Sequence, residues 1–355
     1  MEKQGITELR RYMAKNGIDA VLIFDETNQR YFSSFKFSDG LLLITSDSAY
    51  LITDFRYFED AKINADDSFE VVMPQSRYNF IGEALGKTDG ATIGFESSLE
   101  YAAVMRLKEK FPGARLFAMG SVFEEIRAVK SSEELLKILV AQKITDMAFS
   151  HILSYIRPGV TESEIALELD YFMRKNGAEG TAFETIAVSG SASALPHGKP
   201  RDIPIESGFL TMDFGAKCDG YCSDMTRTVC VGKANEKIKK IYNTVLAAQT
   251  AALNFIRAGI VGKDADRVAR DIIYGNGYEG KFGHSLGHGV GMYIHEKPNL
   301  SPIAENVLSP GNVVTVEPGI YIEGDMGCRI EDMIAITEDG IINFTKSEKE
   351  LIEIY

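Results

Sequence analysis

The spacing of apolar residues changes near residue 130. Before that point, short helix-like and strand-like segments alternate. After it, SSEELLKILVAQKITDMAFSHILSYI predicts a long amphipathic helix, with serine at its N-terminus and proline just beyond its end. A chain of 355 residues is also too long for one ordinary hydrophobic core. We therefore expect two domains, residues 1–127 and residues 131–355.

The first domain is predicted to be α/β. ITELRRYMAKNG places Ile6, Leu9 and Met13 at helical spacing and ends at Gly17, and the following DAVLIF is typical of a buried strand. LLLITSDSAYLITDFRY predicts two strands around a Ser-Asp-Ser turn, and ATIGF predicts another strand.

The second domain is predicted to be α+β. TESEIALELDYFMRKNG begins with a capping box of Thr161 and Glu164, and NEKIKKIYNTVLAAQTAALNFIRAG predicts a further long helix that ends near Gly259. FLTMDFGAK and YCSDMTRTVCV flank an Asp-Gly pair and predict a hairpin, while NVVTVEPGIYI and CRIEDMIAI predict further strands. We expect these helices to pack against a largely antiparallel sheet.

Charge and apolar content argue against several classes of partner. The chain has 38 basic and 51 acidic residues, and its net charge of -13 would repel the phosphates of nucleic acid. No apolar run approaches the ~20 residues that cross a bilayer, and the charged start MEKQGITELRRYM has no signal core, so we expect a cytoplasmic protein without a membrane partner. Four cysteines without CxxC spacing are expected to be reduced.

Four carboxylates occupy positions that are unfavourable without a cation. Asp213 and Asp224 flank a predicted turn centred near residues 218–219, which would place them nearly opposite each other, with Cβ atoms about 5 Å apart. They would repel each other unless a metal ion or a proton lay between them. Glu317 ends an otherwise apolar strand and Glu331 lies in another, where a charge is costly unless it is paired or coordinated. A strand-end acid that faces water is the alternative for each. One shared metal site would explain all four.

A glycine-rich stretch, GHSLGHGVGMYIHE at residues 283–296, contains three of the five histidines. Its glycines would each cost a helix about 1 kcal/mol, so we expect an extended or looped segment. His284 and His288 would then lie about 13 Å apart and could not bind one ion together. His288, between two glycines, is the predicted ligand; His284 and His295 are candidates for substrate contacts, with a packing role as the alternative for His284. His197 lies in the loop SASALPHGKP, at the surface or the rim of a cleft.

These residues together resemble a known family. The contexts TMDFGAKCDGYCSDMTRT, GHSLGHGVGMYIHE, VEPGIYI and RIED, in this order, resemble the metallopeptidases of the creatinase or pita-bread fold. Within that family the chain is most similar to the proline-specific exopeptidases, Xaa-Pro dipeptidase (prolidase) and aminopeptidase P. The resemblance covers essentially the whole chain and implies an α/β N-terminal creatinase-like domain followed by an α+β pita-bread catalytic domain.

The resemblance also implies a dinuclear metal centre. Asp224 and Glu331 would bridge two divalent ions, Asp213 would chelate one of them, and His288 with Glu317 would complete the other. The two ions would hold a bridging hydroxide as the nucleophile, with Glu317 as general base. Oxygen-rich ligation with one imidazole suits Mn(II) above all, with Co(II), Fe(II) or Zn(II) as alternatives.

Four further residues receive roles from the resemblance. His197 and His295 would flank the tetrahedral intermediate or the scissile proline, and His284 would contact substrate or relay a proton. Arg329, two residues before Glu331, would orient that carboxylate from the same strand face.

The expected substrates are short proline-containing peptides, and a homodimer is the expected assembly. Prolidases that need a free substrate carboxylate often carry a basic residue just after the HE motif, whereas this chain has Asn299 there, which favours an aminopeptidase P-like enzyme for longer peptides. Lys297 is close enough to leave a strict dipeptidase as the alternative. A methionine aminopeptidase would leave residues 1–127 without a counterpart, and a non-catalytic binding protein on this fold would be expected to have lost ligands.

Overall fold

The computed structural model describes residues 3–355. The chain divides into two compact units, the first ending at Arg127 and the second spanning Ala128–Tyr355. Within the described residues, no helix is both long enough and apolar enough to cross a membrane.

The first unit is a six-stranded mixed sheet with helices on both faces. Its helices are α1 Gln4–Asn16, α2 Glu26–Ser33, α3 Phe58–Asn64, α4 Arg77–Leu85, α5 Tyr101–Lys110 and α6 Val122–Ala128. Its strands are β1 Ala20–Ile23, β2 Leu41–Thr45, β3 Ala49–Ile52, β4 Glu70–Val72, β5 Thr92–Phe95 and β6 Arg115–Ala118, in the spatial order β4-β3-β2-β1-β5-β6.

The central strand β1 shows why the apolar runs of this unit are continuous. Val21 and Ile23 belong to the core on one face, which also contains residues of α1, α2 and α6. Ala20 and Leu22 belong to the core on the other face, with residues of α4 and α5. Both faces are therefore buried, as in sheets covered by helices on two sides. The predicted α/β domain is confirmed, including the left-handed Gly17 that ends α1.

The second unit combines four helices with short, largely antiparallel strands. Its helices are α7 Ser132–Tyr155, α8 Glu162–Lys175, α9 Glu236–Phe255 and α10 Gly262–Gly275. Its strands are β7 Gly180–Thr181, β8 Ile186–Ser189, β9 Gly208–Phe214, β10 Ala216–Cys218, β11 Tyr221–Cys222, β12 Met225–Val231, β13 Gly287–Gly289, β14 Glu296–Leu300, β15 Val313–Val316, β16 Gly319–Ile322, β17 Met326–Arg329, β18 Asp332–Ile336, β19 Ile341–Asn343 and β20 Glu353–Ile354.

Two sheets of this unit carry most of the candidate site. One has the order β20-β12-β9-β8, and the core against it is formed with α7 and α8. The other has the order β14-β13-β15-β18-β19, and its core is formed with α9 and α10. The predicted α+β body is confirmed, and the capping boxes that begin α7 and α8 are present.

The two helix pairs repeat one pattern along the chain. Left-handed glycines follow the first helix of each pair, at Gly159 and Gly259, and follow the second helix at Gly177 and Gly277. Helix α9 ends at Phe255, earlier than predicted, because the backbone is already extended at Ile256. Helix α10 was not predicted: it begins with glycine, and no side chain caps its first turn.

Candidate metal centre

The structure gathers all nine predicted site residues around one cavity of about 550 Å³ in the second unit. Strands of both principal sheets, and the loops that join them, contribute side chains. The nine are His197, Asp213, Asp224, His284, His288, His295, Glu317, Arg329 and Glu331.

The hairpin places its two aspartates differently from the prediction. The turn has left-handed residues at Asp219 and Gly220, so its centre lies one position later than expected. Asp213 therefore pairs with Thr226, and the expected pairing with Asp224 is wrong. A shift of two residues along the partner strand still leaves the two carboxylates as diagonal neighbours, about 7–8 Å apart at Cα. Both line the cavity.

The glycine-rich stretch is extended at its centre, as predicted, because neighbouring backbone leaves no room for side chains. A Cβ atom added to Gly287 would lie 2.0 Å from the carbonyl oxygen of Thr315. One added to Gly289 would lie 2.3 Å from the carbonyl oxygen of Lys297. These glycines let β13 pack between β14 and β15 and present His288 to the cavity.

The imidazole of His288 lies among carboxylates without forming a hydrogen bond to them. Its Nε2 is 3.6 Å from Asp224 Oδ2 and 3.4 Å from Glu317 Oε1. Its Nδ1 is 3.1 Å from the carbonyl oxygen of Gly289, so a proton on Nδ1 donates there and leaves the Nε2 lone pair facing the cavity. Ligand atoms of Asp224, His288 and Glu331 all lie within 4.8 Å of one another. This spacing suits a cation between them.

The charges of the cluster indicate that it is built for cations. Burial, together with repulsion from Glu331, raises the pKa of Asp224 well above its usual range. Burial and the nearby Glu317 do the same to the pKa of Glu331. Burial raises the pKa of Glu317 to about 8, whereas it lowers the pKa of His288 to about 4. Without a cation, the clustered carboxylates cannot all be ionised together. Divalent cations would balance their negative charges, and the neutral imidazole could ligate one of these cations.

One carboxylate oxygen supports the same conclusion independently. Within residues 3–355, Asp213 Oδ1 is buried and has no hydrogen-bond partner. Its other oxygen, Oδ2, accepts from Arg329 Nη2 at 2.7 Å. A buried carboxylate oxygen without a donor is costly, and a metal ion would satisfy it.

Arg329 connects several members of the site. Its guanidinium donates directly to Asp213, and its Nη1 donates to the Tyr321 hydroxyl at 2.7 Å. Its Nε donates to Thr226 Oγ1 at 2.9 Å, and that hydroxyl donates to Glu331 Oε2 at 2.7 Å. Arg329 therefore reaches Asp213 by direct hydrogen bonding and reaches the expected Glu331 through the Thr226 hydroxyl.

Two threonines that hold the ligand candidates were missed by the sequence analysis. Thr315 Oγ1 donates to Glu317 Oε1 at 3.1 Å and accepts from the His288 backbone N–H at 3.1 Å. Thr226 likewise donates a hydrogen bond to Glu331 through its Oγ1. Each threonine lies two residues from a predicted ligand, Thr315 before Glu317 and Thr226 after Asp224. Strand periodicity places such residues on the ligand's face, and this spacing could have identified them.

Three further histidines, His197, His284 and His295, line the walls of the cavity. The ring of His284 is hydrogen-bonded at both nitrogens, 2.8 Å from the Ser285 carbonyl oxygen and 2.9 Å from the Tyr321 hydroxyl, and burial lowers its pKa to about 3. His295 lies with its ring centroid 4.3 Å from that of His288. Burial, with the nearby His197, lowers the pKa of His295. All three rings are close enough to shape what enters.

The loop that carries His197 is anchored by Glu162, a residue the sequence analysis did not single out. The buried Glu162 carboxylate accepts from the Ser189 backbone N–H at 2.7 Å and from the Arg201 backbone N–H at 3.0 Å. It also accepts from Arg201 Nε at 2.8 Å. These bonds join both ends of the loop to the first turn of α8.

A buried ion pair supports the strand that begins after His295. Lys130 Nζ lies 2.7 Å from Glu296 Oε1, and the two side chains are 1% and 2% exposed. A Cβ atom added to Gly291 would lie 2.0 Å from the same oxygen, so a larger residue there would displace the Glu296 carboxylate. The partners are remote in sequence, and no local pattern indicated their contact.

The fold and the site are together those of a two-domain metallohydrolase. Residues 137–338 match the sequence model of metallopeptidase family M24, and residues 6–129 match that of the creatinase/prolidase N-terminal domain. The chain therefore belongs to metallopeptidase family M24, whose membership implies divalent metal ions.

Similar proteins match along nearly the whole chain. The Xaa-Pro dipeptidase of Pyrococcus furiosus is 40% identical, over 99% of this chain and 100% of that protein. A solved Xaa-Pro dipeptidase from Bacillus anthracis is 44% identical, with a TM-score of 0.94 and 99% of each chain covered. A solved X-Pro aminopeptidase from Thermotoga maritima is 38% identical, with a TM-score of 0.90 over 97% of this chain and 100% of the other. The resemblance to the creatinase-fold metallopeptidases is confirmed.

Proposed function

We propose that the protein is a metal-dependent exopeptidase that hydrolyses the Xaa-Pro bond at the N-terminus of short peptides. The observation that carries this proposal is the convergence of five predicted ligands on one cavity, in a chain similar along its length to Xaa-Pro dipeptidases. The set consists of Asp213, Asp224, His288, Glu317 and Glu331.

We assign these residues to two divalent ions. Asp224 and Glu331 would be shared between the ions, Asp213 would bind one, and His288 with Glu317 would bind the other. The unpaired Asp213 Oδ1 and the free Nε2 lone pair of His288 support this assignment. When bound, the ions supply Lewis acidity, which lowers the pKa of a water molecule and polarises a peptide carbonyl. Mn(II) is the proposed metal, with Co(II), Fe(II) and Zn(II) as alternatives.

Glu317 is the proposed proton acceptor. Thr315 donates to its Oε1, which leaves Oε2 to take a proton from the attacking water. His284 Nδ1 lies 4.0 Å from Oε2, so this ring is placed near the proton's position. His197 and His295, on the cavity walls, are proposed to contact the peptide on either side of the scissile bond.

Other features of the proposal concern the whole chain. The domain limits 1–127 and 131–355, a homodimeric assembly and a cytoplasmic location remain proposals. Substrate length has two candidates, an aminopeptidase P-like activity on longer peptides and a strict dipeptidase activity. Both activities are retained as candidates because the similar proteins include an Xaa-Pro dipeptidase and an X-Pro aminopeptidase.

The test is hydrolysis by the purified protein with Mn(II). Gly-Pro and Gly-Pro-Ala are the substrates, with Gly-Ala-Ala and Met-Ala-Ser as controls. We expect proline peptides to be cut, chelation to abolish cleavage, and added Mn(II) or Co(II) to restore it. Cleavage of Met-Ala-Ser alone would favour a methionine aminopeptidase, and full turnover by Glu317→Ala would contradict the assigned proton acceptor.

A further inference from the structure

The cavity that contains the candidate metal centre has two cationic side chains of lysine or arginine among its described lining residues, Arg329 and Lys199. Arg329 is only 3% exposed. Its guanidinium already donates to four groups, on Asp213, Thr226, Tyr321 and Pro196. Arg329 is therefore committed to the architecture of the site. Lys199 is the cation that remains able to meet a ligand.

Lys199 lies at the rim of the cavity. Its side chain is 78% exposed, and its Nζ lies 3.5 Å from Oε2 of Glu184, which also lines the cavity and is 74% exposed. Exposed ion pairs of this kind contribute little free energy, typically about 0–1 kcal/mol. The ammonium group can therefore exchange Glu184 for another carboxylate at small cost.

The backbone around Lys199 is held in place. Lys199 follows His197 by two residues, so their Cα atoms are at most about 7 Å apart. The loop that carries both is anchored through Arg201 to the buried Glu162. A flexible cation on a fixed loop therefore stands beside the histidine proposed to contact the scissile region.

The sequence analysis considered two other residues, Asn299 and Lys297, for recognition of a free substrate carboxylate. Asn299 lines the cavity but has no charge. Lys297 is not among the described residues that line the cavity. Neither therefore provides a positive charge inside it.

We propose that Lys199 is a specificity-determining residue that binds the free C-terminal carboxylate of a dipeptide substrate. The proposal rests on the proposed Xaa-Pro peptidase function. In Xaa-Pro, a carboxylate follows the scissile bond by one residue, whereas in a longer peptide a neutral amide occupies that position. With the four proposed ligand carboxylates balanced by two divalent ions, Lys199 supplies an exposed positive charge at the rim that the substrate carboxylate can meet. Lys199 thereby favours dipeptides over uncharged analogues.

The experiment compares Gly-Pro with Gly-Pro amide, which differs in the terminal charge. The measured quantity is the ratio of kcat/KM for the acid to kcat/KM for the amide, with Mn(II) present. We expect Lys199→Met to lower this ratio about two- to fivefold, as the loss of one exposed ion pair would. Lys199→Arg should retain it, and Glu184→Gln should raise it because a competing anion is removed. The wild-type ratio should fall towards that of Lys199→Met in 1 M salt, where the Debye length is about 3 Å.

The matched control is Lys263→Met. Lys263 is a partly exposed lysine paired with Glu305 at 2.6 Å, and the pair does not line the cavity. An unchanged ratio in Lys199→Met would overturn the proposal, and so would a fall in Lys297→Met in its place. If the wild-type protein cuts neither substrate, the proposed peptidase function itself is contradicted. If it cuts both substrates and the ratio does not depend on Lys199, only the role of Lys199 is contradicted.

Discussion

The Thr226 hydroxyl offers a direct test of how the carboxylates are held. Its Oγ1 donates to Glu331 Oε2 at 2.7 Å and accepts from Arg329 Nε at 2.9 Å. All three residues are buried. Thr226→Val keeps the shape of the side chain and removes both hydrogen bonds. Glu331 then loses a donor that favours its ionised form, the form that binds a cation.

The expected magnitude follows from one hydrogen bond to a charged group. Such a bond contributes about 1.5–3 kcal/mol, which corresponds to divalent-ion binding about 10- to 100-fold weaker. Loss of a hydrogen bond that orients a metal ligand typically has an effect of the same size. The assay is calorimetric titration of Mn(II) into protein freed of metal by chelation, so the readout does not depend on activity.

Thr228→Val is the matched control. Thr228 lies two residues further along the same strand and is equally buried, but its Oγ1 donates to the Arg329 carbonyl oxygen at 2.9 Å. Both variants lose a buried hydroxyl, so both should unfold at lower denaturant concentration. Equal Mn(II) affinity in the two variants would refute the role given to Thr226.

Three further predictions concern stability. Glu162→Gln should lower the free energy of unfolding by about 1–3 kcal/mol in denaturant titrations. This is less than for a fully buried pair, because the Arg201 side chain is 37% exposed. An unchanged midpoint would show that Glu162 does not anchor the loop. Lys130→Met should cost about 3–5 kcal/mol by the same measurement, because Glu296 keeps a buried charge without its lysine. In metal-free protein, the pKa of Glu317 is raised from its ordinary 4.5 to about 8, so the folded state binds more protons between these values. The buried histidines act in the opposite direction up to their ordinary pKa of 6.5, so stability should fall between pH 6.5 and pH 8, and a denaturant midpoint that rises over this range would contradict the assignment.

Local signals predicted the elements that they encode. The capping box predicted for α8 and the serine predicted at the start of α7 are local features, and both helices begin as predicted. The alternation of β1 between two cores likewise depends on neighbouring residues. Helix α10 lacks a side-chain cap and was missed, although its buried residues Ala265, Ala269 and Ile273 follow the helical spacing that a sequence can show.

The hairpin shows how a local signal can be right in kind and wrong in register. The Asp-Gly pair indicated the turn correctly, but a centre one position later changed the partner of Asp213 from Asp224 to Thr226. Opposed residues in an antiparallel pair move by two positions when the turn centre moves by one. The pattern of residue types therefore identified the strands, and only the backbone of the turn determined which residues face each other.

The sequence by itself determined the family, the fold class and the five candidate ligands. Carboxylates in apolar strands and a histidine among glycines can be recognised from neighbouring residues alone, without knowledge of the tertiary contacts. Only the tertiary structure decided what holds those residues. Lys130 meets Glu296 across 166 positions, and Arg329 meets Asp213 across 116. Lys199 shares a cavity with both Arg329 and Glu331. Such contacts depend on how whole sheets and loops pack together, and no periodicity of two or 3.6 residues encodes them.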